Sequence, residues 1–62
     1  MTFGRALQKA REHHALSRTC LASQLGCSLT EVIELEEDGP EAGELREKWR
    51  EPLQYFFPKL PR

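Results

Sequence analysis

No apolar run in this 62-residue chain approaches the roughly 18 residues needed to cross a bilayer. No basic-then-apolar leader precedes Thr2 either, so the expectation is a cytoplasmic protein without membrane contact. Cysteine is scarce. Cys20 and Cys27 alone cannot frame a disulfide scaffold in a leaderless chain. Adding His13 and His14 makes no metal site, because no pair among the four has finger-like ligand spacing. Adjacent histidines on a helix also point in different directions. Two reduced thiols, two surface histidines, no metal and no cofactor are expected.

Length is short as well. Residues 1–62 make one domain at most, and a core of that size leaves only about 3–5 kcal/mol of net stability. There is little room for a catalytic cleft. The one nominal catalytic pair, Cys20 with His13 or His14, has no third group placed to orient the base. An enzymatic role is not expected.

Residues 31–45 contain no basic residue at all. Glu31, Glu34, Glu36, Glu37, Asp38, Glu41 and Glu44 give that stretch a balance of −7, while residues 1–30 and 46–62 each carry +3. The net charge of −1 therefore conceals a strong asymmetry.

What is present is helical spacing. Thr2 can cap a first helix in which Phe3, Leu7 and Ala10, helped by Ala6, share one stripe. His13 and His14 lie near its end, where positive charge suits the helix dipole. Ser17 caps a second helix that turns Leu21, Ala22 and Leu25 inward, and Gly26 closes it. Ser28 opens a third, with Glu31 at capping-box spacing and Val32 and Leu35 as the buried stripe, ended by Gly39-Pro40. Leu45 and Trp49 suit a fourth helix. Pro52 breaks it and begins a last short turn carrying Leu53, Phe56, Tyr55 and Phe57, which Pro58 and Pro61 keep short. Trp49 and the phenylalanines read as a core lid. The expected fold is all-α, five short helices around one core.

Helices two and three are joined by only a few residues around Gly26, the spacing of a helix-turn-helix over about residues 17–37. The run LSRTCLASQLGCSLTEVIELEEDG, Leu16 to Gly39, resembles the Cro and phage-repressor (XRE) family. The resemblance rests on Leu16-Ser17, Leu21-Ala22, Leu25-Gly26 and Leu35-Glu36, and on the opening FGRALQKAR with its early Gly4. It covers residues 3–39, and residues 40–57 by helix count alone. It implies a lambda-repressor-like DNA-binding domain in bacterial or phage transcription control, working as a homodimer on double-stranded operator DNA. It also implies a structural ion pair between Arg11 and Glu36. Carried across position by position, Arg18 would contact a phosphate; Ser28, Leu29, Thr30 and Glu34 would face the major groove, with Ile33 beside them.

The sequence departs from that pattern where DNA would be read. The groove-facing positions hold none of the Arg, Lys, Asn or Gln that fork onto guanine or adenine. Thr30 offers contact to a thymine methyl and Glu34 an acceptor for a cytosine amino group. Asp38, Glu41 and Glu44 follow, where related repressors often place basic residues, and carboxylates facing phosphates weaken binding. Glu31 is accounted for by the cap and Glu36 by Arg11; Glu34, Glu37 and Asp38 are not. A second reading therefore stands beside the first: Leu29 and Ile33, four apart and outside the core stripe, form an apolar patch rimmed by acids that suits a protein partner.

Overall fold

Thr2, Ser17 and Ser28 each start a helix, and each does so by lending its side-chain oxygen to a backbone N–H three residues on. The computed structural model describes residues 2–60. In it the Arg5 N–H donates to Thr2 Oγ1, that of Cys20 to Ser17 Oγ, and that of Glu31 to Ser28 Oγ. Five helices follow in order: α1 Phe3–His13, α2 Arg18–Leu25, α3 Leu29–Glu37, α4 Ala42–Lys48 and α5 Arg50–Phe56. No strand occurs among the described residues, so the fold is all-α. Pro61, expected to help stop the last element, lies outside them.

The helix ends follow their local chemistry. Gly26 takes φ +83°, the left-handed conformation that closes α2, and the Gly26 and Cys27 N–H groups both donate to the Ala22 carbonyl. Helix α1 ends without a glycine. Ala15 is forced to φ +56° while its N–H donates to Glu12 O and that of Leu16 to Arg11 O, the paired bonds of a Schellman closure.

The last two helices divide earlier than Pro52 suggests. The break falls at Trp49, which ends α4 and precedes α5. A continuous helix through Pro52 would drive its ring against the Lys48 carbonyl, and α4 stops at Lys48. Inside the first turn of α5, the missing N–H of Pro52 leaves no intrahelical bond unmade.

Every helix contributes to the core, α4 only through buried Ala42 and half-buried Leu45. Leu7, Leu21, Val32 and Leu35 are completely buried, joined by Ala22, Leu25, Leu53, Phe57 and Leu60. Phe3, Ala6, Ala10, Leu16, Cys27, Trp49 and Phe56 pack around them, partly buried. Tyr55 is not among the lid residues, being 81% exposed. Leu60, beyond the last helix, is a core residue that helical spacing alone does not mark.

The strained closure of α1 is directly testable. Ala15→Gly removes a left-handed penalty of about 1 kcal/mol, which in a domain of this size raises Tm by about 4–8 °C. A thermal melt by circular dichroism reads the shift, and an unchanged or lowered Tm would contradict it.

Candidate nucleic-acid interface

Helix α3 has an inner and an outer face, and its carboxylates do not follow that division. Glu36 is the most enclosed. Its side chain is 1% exposed and accepts from Arg11 Nε at 2.6 Å and from Arg11 Nη2 at 3.4 Å. Arg11 is itself nearly buried, and its Nη1 donates to the Leu16 carbonyl at 2.8 Å. The pair therefore ties α1 to α3 and to the turn before α2. Every partly dehydrated nitrogen it uses has an acceptor, which a buried ion pair requires.

Arg18 joins the same carboxylate. Its Nε donates to Glu36 Oε1 at 3.2 Å, while the side chain stays 44% exposed. The residue expected at a phosphate is thus anchored at its Nε, with the guanidinium held at the first turn of α2.

Three further acids of the −7 stretch each cap the start of a helix. Glu31 closes the capping box of α3, accepting from the Ser28 N–H at 3.0 Å. Its other oxygen accepts from the Trp49 indole at 3.2 Å and lies 3.7 Å from Lys48 Nζ. These donors hold the Glu31 carboxyl below the usual carboxylate range, the Ser28 backbone bond first and the Trp49 bond second. The neighbouring Cys27 thiol is pushed up, first by burial and then by the Glu31 charge.

Glu34, expected to face the groove, also bonds within the fold. The chain reverses at Gly39-Pro40, and the Glu41 N–H at the start of α4 donates to Glu34 Oε2 at 2.9 Å. The carboxylate lies over Gly39, where a side chain would collide with it. Half-buried, Glu34 spends its Oε2 on the Glu41 N–H at the start of α4.

Asp38 serves α1. It takes the left-handed conformation, φ +54°, that closes α3, and its Oδ1 accepts from the Gly4 N–H at 3.1 Å. Helix α1 has no acidic residue in its own first turn, so this distant carboxylate supplies the charge its N-terminus favours. Gly4 permits the approach: a Cβ there would strike the Leu35 and Glu36 carbonyl oxygens. Glu37, Glu41 and Glu44 remain exposed.

What α3 presents outward is its beginning. Ser28 and Thr30 are exposed, Leu29 is 43% exposed, and Ile33 one turn later is half-buried. Ser28 Oγ is occupied by the cap. The structure thus groups Ser28, Leu29, Thr30 and Ile33 on one face, with one oxygen of Glu34 bonded to the start of α4. Asp38, Trp49 and Lys48 enter the arrangement although nothing in the local sequence assigns them to it. For Asp38 alone there was a signal, the N-terminus of α1 without its own acid.

Among the described residues no helix is long and apolar enough to cross a membrane, and no group of three or more His, Cys, Asp or Glu side chains is placed to hold a metal ion. The described residues form an all-helical, five-helix domain with a polar network centred on α3. Comparison with protein-family models, with curated proteins and with solved structures finds no match to the chain.

Two measurements test this network. Arg11→Met leaves Glu36 buried with only Arg18 beside it, a loss of about 3–5 kcal/mol that rivals the stability of so small a domain. Its melt should be broad and displaced far below wild type, and the double variant Arg11→Met/Glu36→Leu should recover most of the loss. A single variant that melts like wild type would contradict the assignment.

The second is Glu31. A carboxyl whose folded-state pKa lies below its unfolded value adds stability that is complete above the ordinary carboxylate range. That stability is lost as pH falls through the lowered value. The stability gap between wild type and Glu31→Gln in urea melts should therefore narrow between neutral pH and about pH 3. A gap constant over that range would overturn it.

Proposed function

We propose that this chain is a small cytoplasmic DNA-binding regulator that lays the exposed start of α3 in the major groove, acting as a homodimer on paired half-sites. The observation that carries the reading is the inward use of the acids. Glu31, Glu34, Glu36 and Asp38 bond to the fold's own N–H groups and arginines, which leaves Ser28, Leu29 and Thr30 exposed at the start of α3, with Glu37, seven residues beyond Thr30, the one exposed acid of that helix. The α2–turn–α3 arrangement, closed by left-handed Gly26, and the resemblance of residues 3–39 to the Cro and repressor family support the same reading. Phosphate attraction comes from exposed Arg18 at the first turn of α2, aided by exposed Arg5 and Lys9 on α1.

A second reading has its own observation. Leu29, 43% exposed, and Ile33 form an apolar pair on that face, and such a pair suits a protein partner as well as a base edge.

Salt separates the two. Fluorescence anisotropy of duplex from the protein's own upstream region should report binding at about 50 mM salt that weakens by about tenfold or more at 200 mM, through counterion release. Arg18→Ala should weaken it further at either salt. No binding at either salt would sink the DNA reading. A partner held by Leu29 and Ile33 would instead bind with little salt dependence and be lost in Leu29→Ser/Ile33→Ser.

A further inference from the structure

The outward face of α3 is poor in hydrogen-bonding groups to a degree that only the fold reveals. Helix α3 carries no Arg, Lys, Asn or Gln. Three of its four acids are engaged, Glu31 by Ser28 and Trp49, Glu34 by Glu41, Glu36 by Arg11 and Arg18, while Glu37, its last residue, is exposed. The Ser28 hydroxyl is committed to the cap. Ahead of Glu37, what remains is a strip of methyl and methylene groups: the exposed Leu29 side chain, the γ-methyl of exposed Thr30, and Ile33 on the same face one turn on.

Resting on the DNA-binding reading, we infer that α3 discriminates base pairs by apolar contact with thymine 5-methyl groups, with Leu29 and Thr30 as the specificity-determining residues and Ile33 extending the strip. The thymine methyl is the only apolar group on the major-groove edges of the four bases. A leucine pressed on guanine O6 and N7 would strip water from two acceptors and return no donor, which is unfavourable. The strip therefore gains on thymine and loses on G·C. The Thr30 hydroxyl serves either base and adds little choice. Leu29 and Ile33 are about 6 Å apart along the helix axis, about two base-pair steps, so the preferred half-site places thymines within two or three steps of one another.

The test is selection by the full chain from a random-core duplex pool at low salt, followed by replacement of each core thymine by deoxyuridine, which deletes only the 5-methyl. Enriched duplexes should carry closely spaced A·T pairs. Each critical uracil should weaken binding about fourfold, the value of one buried methyl. In Leu29→Ala and Thr30→Ser, both exposed positions whose fold is checked by thermal melt, the thymine-over-uracil preference should shrink towards unity. Enriched duplexes that bind equally well with uracil, or that are G·C-rich, would overturn the methyl-reading inference while leaving DNA binding standing. No enrichment at all would remove the DNA reading and this inference with it.

Discussion

The Glu36 carboxylate is the point on which the arrangement of the first three helices depends. It is the most deeply buried charge in the described residues and is shared by Arg11 from α1 and Arg18 from α2. Arg11 in turn holds the Leu16 carbonyl between those helices. Buried ion pairs add little net stability over an apolar substitute, but leaving one member alone is costly. Their effect here is therefore geometric. The carboxylate has one position in which both arginines reach it, and that position sets how α1 and α2 meet α3. Leu7, Leu21, Val32 and Leu35 fill the interior beside it completely, so the network decides orientation while apolar burial supplies the larger share of the stabilisation.

The same logic runs through the acidic stretch. A balance of −7 over residues 31–45 reads as a repulsive surface if each acid is taken alone. In the folded chain Glu31, Glu34 and Asp38 sit at the starts of α3, α4 and α1 in turn, where N–H groups lack intrahelical partners and the dipole favours negative charge. Helix α3 and the turn after it thus serve as a source of caps for three helices. The exposed remainder, Glu37, Glu41 and Glu44, lies at the end of α3 and beyond it in the chain.

This division of α3 links stability to the proposed function. The helix gives Glu31, Glu34 and Glu36 to the fold and keeps Leu29 and Thr30 exposed at its start. On the proposed reading Leu29 and Thr30 offer methyl groups and one threonine hydroxyl, so recognition would rest on shape and dehydration more than on hydrogen-bond matching. In the proposed function Arg18 would belong to both roles: its Nε bond to Glu36 limits its freedom, which would lower the entropy lost on engaging a phosphate.

Much of the fold was legible in the chain. Thr2, Ser17 and Ser28 marked three helix starts, Gly26 one end, the Ser28–Glu31 spacing the capping box, and the Leu7, Leu21–Leu25 and Val32–Leu35 stripes the core, because each is a contact between residues within one or two helical turns. The Arg11–Glu36 pair followed from resemblance to a family, not from spacing. What the sequence by itself determined was therefore which segments become helices and which faces they bury. Only the tertiary structure decided what the acids do. Glu34, placed on the outer face by position, turns to Glu41 because the chain reverses at Gly39-Pro40, and Asp38 finds Gly4 across 34 residues. A backbone N–H is offered by every residue but proline, so it leaves no mark in the sequence. Which carboxylate it captures is settled only when the helices have packed.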